Sequence, residues 1–359
     1  MKFTVNTKDF SEAMNKAFKG VAKKAYAAIL ENVQIVVHDN VCRVNSANLE
    51  QYVSTKIDAY GSDDMAFIFR DTKAVLKALK FFTGDVIIFD QVGKNAVKMT
   101  CGTKKAELLI SEADLFPDFP EVTGEQFVYS ADKLISRYNA VKYAVSNNDS
   151  RPVMMGIHFN NADIVTCDGW RLAMNTDDAL TVNKPFTVMD NALKLCSDVL
   201  SGNITITANG KHVKFEDSNA VIISRLFDGE YFDYRKVIPA NVNSVTVNIK
   251  DFSDNLKYLK TFARDLPAAW NGNKLALVTV DGRFDCEINL AGSFNFTIGF
   301  NMAYMLEALS QFKESKSLNI LMPDRNVGPI TMQNGSDFAM ILPVRLKDGD
   351  PFQTAEDVA

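Results

Sequence analysis

The sequence predicts an α+β protein made of three copies of one module, each with two helices packed on a largely antiparallel sheet. Three observations carry this. A nonapeptide recurs: TVNTKDFSE at 4–12 and TVNIKDFSD at 246–254 share seven of nine positions. A weaker copy, FVYSADKLI at 127–135, lies between them, with Leu134 in the place of Phe10 and Phe252 at separations of 124 and 118 residues. The same order of patterns then follows each copy: a helical stripe, alternating strands, a second helical stripe and further strands.

Each element follows from its residues. Phe10, Met14, Ala17 and Val21 recur at helical spacing, as do Leu134, Tyr138, Val141 and Val145, and again Phe252, Leu256, Leu259 and Ala263. Each set is one apolar face of an amphipathic helix. Strands come next: ILENVQIVV (29–37) parallels VMMGIHFN (153–160), and VCRVNSANLE (41–50) parallels DIVTCDGWRL (163–172). In the last copy, LALVTVDGRFDCEINL (275–290) alternates as a hairpin does around Asp281-Gly282. Second helices are expected near 71–82, 190–200 and 301–312. Pro117, Pro120 and Pro239 stand where proline ends a strand. The expected domains are therefore 1–122, 123–241 and 242–346, with 347–359 as an acidic tail.

Composition narrows the function. The chain has 359 residues, 47% hydrophobic and 23% charged, which is globular composition. No apolar run reaches the ~20 residues of a membrane span. The opening MKFTVNTKDF lacks the apolar stretch of a secretory signal, so a soluble cytoplasmic protein is expected. Five scattered cysteines without a CxxC read as reduced thiols rather than disulfides or a zinc site. Only His38, His158 and His212 are available for imidazole chemistry. No phosphate-binding glycine loop, HExxH, EF-hand loop or GxSxG occurs, and Asp168 in CDGW reads as a turn residue. No catalytic residue, metal or cofactor is expected.

The charge pattern is more telling. Net charge is −5, yet positive charge collects on the expected helices. Lys16, Lys19 and Lys23 belong to the first helix of copy one, Lys133 and Arg137 to that of copy two, and Lys257, Lys260 and Arg264 to that of copy three. Lys73, Lys77 and Lys80 form one stripe on the second helix of copy one. One basic helix face is ordinarily only solvation. Its recurrence on four of six helices of a net acidic chain suits contact with phosphate without base reading. The second helices of copies two and three are not basic.

Six segments then stand in a telling order: ILEN at 29–32, LFPDFPEV at 115–122, SRPVMMG at 150–156, CDGWRLA at 167–173, FDYRKVIP at 232–239 and FAMILPVRL at 338–346. In this the chain resembles, over residues 1–346, the bacterial sliding clamp family, the beta subunits of DNA polymerase III. The resemblance implies three clamp-type domains per chain and a head-to-tail homodimeric ring of six domains, with twelve helices lining the hole. Geometry agrees. With helices about 10 Å wide, six would leave only about 9 Å clear, whereas twelve leave about 28 Å, enough for a duplex about 20 Å across. It also implies a non-enzymatic processivity factor. Its partners would be double-stranded DNA, the polymerase III alpha subunit, the clamp loader and other proteins bearing a clamp-binding motif.

Carried over residue by residue, the family's DNA-facing positions fall on Lys24, Lys73 and Asn148, beside the helix cations above. The dimer contact falls on Ala106 and Leu108 on one side and Leu266 on the other. The family's partner-peptide cleft falls on Met154, Cys167, Gly169, Trp170, Arg171, Leu172, Phe232, Lys236, Val237, Met340, Leu342, Pro343, Val344, Arg345 and Leu346. Here Arg171 and Arg345 would hold polar peptide groups at the margin of an apolar groove. Trp170 and Phe232 stand where the family has smaller groups. The family stops at the pair equivalent to Arg345-Leu346, whereas this chain runs 13 residues further, with Lys347 against Asp348, Asp350, Glu356 and Asp357 for a net charge of −3. That tail is expected to screen the groove or alter partner choice. Two alternatives remain at this point: a divergent clamp paralogue serving a mobile element or a specialised polymerase, and an unrelated three-domain enzyme.

Overall fold

The computed structural model describes residues 1–25, 27–61, 63–240, 243–346 and 349–352. Its elements recur three times in one order. The first run is β1 (Lys2–Asn6), α1 (Thr7–Phe18), β2 (Gln34–His38), β3 (Val41–Ala47), β4 (Gln51–Tyr60), β5 (Met65–Phe69), α2 (Thr72–Leu79), β6 (Val86–Val92), β7 (Ala96–Cys101) and β8 (Lys104–Glu112). The second is β9 (Glu125–Ser130), α3 (Ala131–Val141), β10 (Gly156–Asn161), β11 (Asp163–Cys167), β12 (Arg171–Thr176), β13 (Val182–Met189), α4 (Asp190–Val199), β14 (Asn203–Ala208), β15 (His212–Glu216) and β16 (Ala220–Arg225). The third is β17 (Asn243–Asn248), α5 (Ile249–Lys260), β18 (Pro267–Asn271), β19 (Lys274–Thr279), β20 (Gly282–Glu287), the short β21 (Leu290–Ala291), β22 (Ile298–Asn301), α6 (Met302–Gln311), β23 (Ser317–Met322), β24 (Ile330–Asn334) and β25 (Asp337–Ile341). The α+β class and the threefold repeat are as the sequence predicts. Val21, Val145 and Ala263 lie beyond their helix ends.

The recurring nonapeptide has a structural reason. Its asparagine ends a strand and caps a helix. The Asn6 side chain accepts from the N–H groups of Lys8 (2.9 Å) and Asp9 (3.2 Å), and Asn248 accepts from Asp251 (3.0 Å). Such a cap satisfies donors that the first helical turn leaves unpaired. Four residues on, Phe10 and Phe252 are wholly buried. Phe10 meets Phe89 edge-on at 5.1 Å, with Phe3 stacked on the same ring at 4.5 Å; Phe252 packs on Trp270 at 5.0 Å. Cap and anchor together fix where the helix starts and which face it buries.

The chain forms two compact units: residues 1–135 with 188–227, and residues 136–187 with the described residues from 228 onward. The segment 123–241 contributes to both. In the first unit a twelve-stranded sheet runs β1-β6-β7-β8-β5-β2-β3-β4-β16-β15-β14-β9. In the second, a nine-stranded sheet runs β13-β10-β11-β12-β25-β24-β23-β17-β21, beside a four-stranded sheet β20-β19-β18-β22. Two pairings bridge different repeats. β4 pairs antiparallel with β16, from Thr55 opposite Ala220 to Gln51 opposite Ser224. β12 pairs antiparallel with β25, from Arg171 opposite Ile341 to Asn175 opposite Asp337. Both join the fourth strand of one repeat to the last strand of another.

Candidate functional site

The two bridging pairs are closed in the same way. Beside β4 and β16, the Gln51 amide donates to Asn191 (2.5 Å), and Lys19, just past α1, meets Asp198 of α4 (3.7 Å). Beside β12 and β25, Tyr143, just past α3, donates to Gln311 of α6 (3.1 Å). Arg171 adds a stronger lock. Its Nε donates to Asp168 (2.9 Å), its Nη1 pairs with Glu307 of α6, and its guanidinium lies 4.2 Å from the centre of the Tyr304 ring. Burial alone would lower the Arg171 pKa, and the two carboxylates outweigh it, so the group is held charged.

By the same count, the third pair would be β20, the fourth strand of the last repeat, with β8, the last strand of the first. Both have an open side. Among the described residues β20 pairs only with β19. β8 pairs with β7 along Lys104 to Leu109, and with β5 only from Ile110 to Glu112. Apolar groups stand exposed beside each. Tyr258 and Phe262, at the end of α5, are 45% and 43% exposed, and Phe262 stacks on Phe284 of β20 at 3.7 Å. Phe81, just past α2, is 67% exposed, and Leu109 of β8 is also exposed. Leu266 is exposed as well, while Ala106 and Leu108 lean onto their own core. Sequence reasoning missed Tyr258, Phe262, Phe81 and Leu109. A signal existed: Tyr258, Phe262 and Leu266 repeat every fourth residue, off the stripe of Phe252, Leu256 and Leu259.

The predicted DNA-facing residues divide. Lys23, Lys24, Lys73, Lys77, Lys80, Arg264 and Asn148 are exposed, and Lys260 is half-buried. Lys16 and Lys257 are engaged on their own helices by Glu12 (3.0 Å) and Asp254 (3.2 Å). Lys19 reaches Asp198, as above. Arg137 is the correction. It is 4% exposed, and its guanidinium donates to the Asn175 side chain (2.7 Å) and to the carbonyls of Ala162 (2.5 Å) and Asn175 (2.9 Å). The reason is helical spacing: position 137 is three from 134 and four from 141, so it shares the apolar face of α3 and faces inward.

The predicted cleft residues also divide. Met154, Cys167, Leu172 and Met340 are buried in an apolar cluster with Tyr234 and Phe338, where a partner could reach them only after rearrangement. Gly169, Trp170, Lys236, Val237 and Arg345 are exposed, and Phe232, Leu342, Pro343, Val344 and Leu346 are half-buried. Trp170 is 59% exposed. It sits in a turn in which Asp168 accepts from the N–H groups of Trp170 (2.9 Å) and Arg171 (3.0 Å), and Gly169 takes a positive φ of 92°. Arg171, expected at the groove margin, is instead committed to Asp168 and Glu307. The loop bearing Phe232 and Val237 is tied from below. Buried Asp163 accepts from Tyr234 Oη (2.6 Å) and Thr176 (2.7 Å) and pairs with Arg235. Buried His158 stacks on Tyr231 at 4.3 Å and hydrogen-bonds Thr187 (3.0 Å). Burial pushes the His158 pKa down to about 4.

Four of the cysteines are buried, Cys286 is partly so, and all five are free. Among the described residues no group of three or more His, Cys, Asp or Glu side chains could hold a metal ion. No helix of the described chain is long and apolar enough to cross a membrane.

The structure is a thrice-repeated α+β module with strand edges joined from repeat to repeat, and known proteins share this fold. Residues 129–233 match the family model for the central domain of the DNA polymerase III beta subunit. The beta sliding clamp of Streptococcus pneumoniae is 23% identical, over 96% of this chain and 99% of the relative. That of Chlamydia pneumoniae is 24% identical, over 97% and 100%. Among solved structures, the polymerase beta subunit of Streptococcus pyogenes matches with a TM-score of 0.88 at 19% identity, over 96% of this chain and all of that one. The sliding clamp of Bartonella birtlesii, solved bound to griselimycin, matches at 0.87 and 22%, with the same coverage. Over nearly its whole length the chain is thus similar to bacterial DNA polymerase III beta subunits, the beta sliding clamps, and it has their fold.

Proposed function

We propose that this chain is a DNA sliding clamp: two copies close head to tail into a ring, and the ring keeps partner proteins on duplex DNA without gripping a sequence. One observation carries the reading. The chain twice joins the fourth strand of one repeat to the last strand of another, and it leaves the strands of a third such pair, β20 and β8, each with an open side. Unlike edges on one molecule make a heterologous contact, and such contacts either close into rings or grow as filaments. The exposed Phe262, Tyr258 and Leu266 on one edge, with Phe81 and Leu109 on the other, supply apolar surface for that contact. Ala106 and Leu108 would then support the interface from behind.

The exposed lysines near α1 and α2, together with Lys260 and Arg264, suit weak phosphate contact. Such contact is strongly salt-dependent and sequence-blind, which a sliding ring requires. A topological link needs no tight binding and no catalysis, so the chain acts as a non-catalytic subunit in the cytoplasm. Its partners would be the polymerase III alpha subunit, the clamp loader and other proteins carrying a short apolar motif. They would dock at the surface formed by Trp170, Phe232, Val237 and the segment from Leu342 to Leu346. A half-exposed tryptophan is the kind of anchor such docking uses.

Retention on DNA tests the reading. Loaded onto a nicked circle, the protein should stay at high salt; once the circle is cut, it should slide off the free ends. Equal loss from circular and linear DNA would sink it.

A further inference from the structure

The chain continues beyond Leu346, and the described part of that continuation is docked. The Val344 N–H donates to the Gly299 carbonyl of β22 (2.8 Å). The approach is close: a Cβ at Gly299 would lie 2.2 Å from the Val344 oxygen and 2.9 Å from the Leu346 side chain. Further on, Asp350 accepts from Thr297 Oγ1 (2.6 Å) with one carboxylate oxygen and from the Phe352 N–H (2.9 Å) with the other. Arg283 of β20 donates to the Pro351 carbonyl, and its guanidinium carbon lies 5.3 Å from the centre of the Phe352 ring. Between this segment and the body of the unit lies a cavity of about 960 Å³. Pro343, Val344, Arg345 and Leu346 form one wall, and Gly349, Asp350 and Phe352 form another. Phe296 and Val327 add apolar surface, and Asn271 and Asn326 add amides. Apolar anchors with amides able to pair a main chain suit a short extended peptide, and the volume is that of a ligand site.

We propose that residues 349–352 are a strap that closes one side of this cavity, and that a partner peptide fills it only when the strap is released. The inference rests on the clamp reading, which supplies the peptide. Among the described residues the strap is held by Thr297 on Asp350, and by Arg283 on Pro351 and Phe352. A ligand that binds only the open state opens it, and the ligand's apparent affinity falls by the fraction of time the strap is open.

The test compares three proteins: the full chain, a chain ending at Leu346, and the full chain with Asp350→Ala. Each is titrated with a fluorescein-labelled hexapeptide containing two leucines and one phenylalanine, read by anisotropy. The shortened chain and Asp350→Ala should bind about 5- to 30-fold more tightly than the full chain, the factor that one or two such contacts set. Thr297→Val should reproduce Asp350→Ala. Equal affinity, or weaker binding without the strap, overturns the proposal, the second outcome because it would make the segment a contact rather than a barrier. If no form binds the peptide, the docking part of the clamp reading fails and the gate fails with it. Hydrogen exchange without peptide separates the two failures. Asp350→Ala must speed exchange at 343–352, and unchanged exchange overturns the strap even where peptide binds.

Discussion

The closed joints and the open edges of this molecule use equivalent strands, and the side chains beside them differ in chemistry and in burial. Where β4 meets β16 and β12 meets β25, the helices are tied on by polar pairs, Gln51 on Asn191, Lys19 on Asp198, Tyr143 on Gln311, and Arg171 between Asp168 and Glu307, while the strands bury apolar groups, Tyr52 and Ile223 at one joint and Leu172, Phe338 and Met340 at the other. Where β20 and β8 are open, the flanking groups are Tyr258, Phe262, Phe81 and Leu109. A joint within one chain is made at high effective concentration, so part of its flank can be given to polar pairs that set register. A joint between two chains must offset the entropy of association, and buried aromatic surface is the larger driving term. An exposed strand edge flanked by apolar side chains is also a liability unless something covers it. On the clamp reading, the difference suits the closed joints to one chain and the open edges to a second copy.

The largest test of this contrast is at Arg171. Replacing it by alanine leaves Asp168 without its partner in a nearly buried site. Breaking a buried ion pair typically costs about 3–5 kcal/mol. Because the Glu307 carboxylate is half exposed and can rehydrate, the lower figure is expected here. Urea unfolding of Arg171→Ala measures it. A loss under about 1 kcal/mol would mean that backbone pairing and the apolar cluster of Leu172, Phe338 and Met340 close the β12–β25 joint without it.

Close behind comes a proton. His158 is buried with its ring on Tyr231, and its folded pKa of about 4 lies below the ordinary value of 6.5. Between those values the unfolded chain binds the proton and the folded chain does not. Stability is therefore full above pH 6.5 and is lost as pH falls toward 4, by up to about 3 kcal/mol. Unfolding curves of the native protein and of His158→Gln across that window should converge if the residue carries the effect. The variant gives up the Tyr231 stacking at every pH, so the change with pH, rather than the offset, is the readout.

These residues also show what was legible in the sequence. The repeat was, because a capping asparagine and a buried phenylalanine four residues on are both local requirements, and the nonapeptide states them together. The helices were, since their apolar stripes are periodic. Arg137 was misplaced although its position on α3 was in principle readable from its spacing to Leu134 and Val141: charge was weighed above phase. The open edges were legible only in part: the fourfold spacing of Tyr258, Phe262 and Leu266 was there to read, and the facing of β8 was not. Leu108 and Leu109 differ only in which side of β8 they face, and a one-residue change of register exchanges the two. The inward turn of Arg171 was hidden for another reason, since its partner Glu307 lies 136 residues away in sequence. Long-range pairing of this kind leaves no local pattern. Most of the tail expectation falls on residues 347, 348 and 353–359, outside the described residues; only 349–352 acquire a place.

The open edge itself is tested by Phe262→Asp. A carboxylate beside Phe284 should cost the interface about 2 kcal/mol or more, as loss of an aromatic anchor does, and so weaken the dimer about 30-fold. Near the native dissociation constant, sedimentation should then report mostly the 39.9 kDa chain rather than twice that mass. Phe81→Asp, on the other edge, should act alike. If both substitutions weaken the dimer and Ser136→Asp, an exposed polar position on α3, does not, the two edges meet each other. A dimer untouched by either would break the comparison at its root.

The smallest effects belong to the lysines, and they sharpen the contrast because they should leave assembly alone. Lys77→Ala and Lys80→Ala each remove one exposed charge from or beside α2. If each meets one phosphate, each should flatten the dependence of log affinity on log salt by about 0.9, uniformly across DNA sequences. The matching change at Lys16 or Lys257 should be smaller, because Glu12 and Asp254 already engage those ammonium groups. A ring held by topology should tolerate all four changes with little loss of retention on circular DNA, though initial loading at moderate salt slows. If single substitutions instead abolished retention on circles, the protein would be gripping DNA by charge, and the open edges would need some partner other than each other.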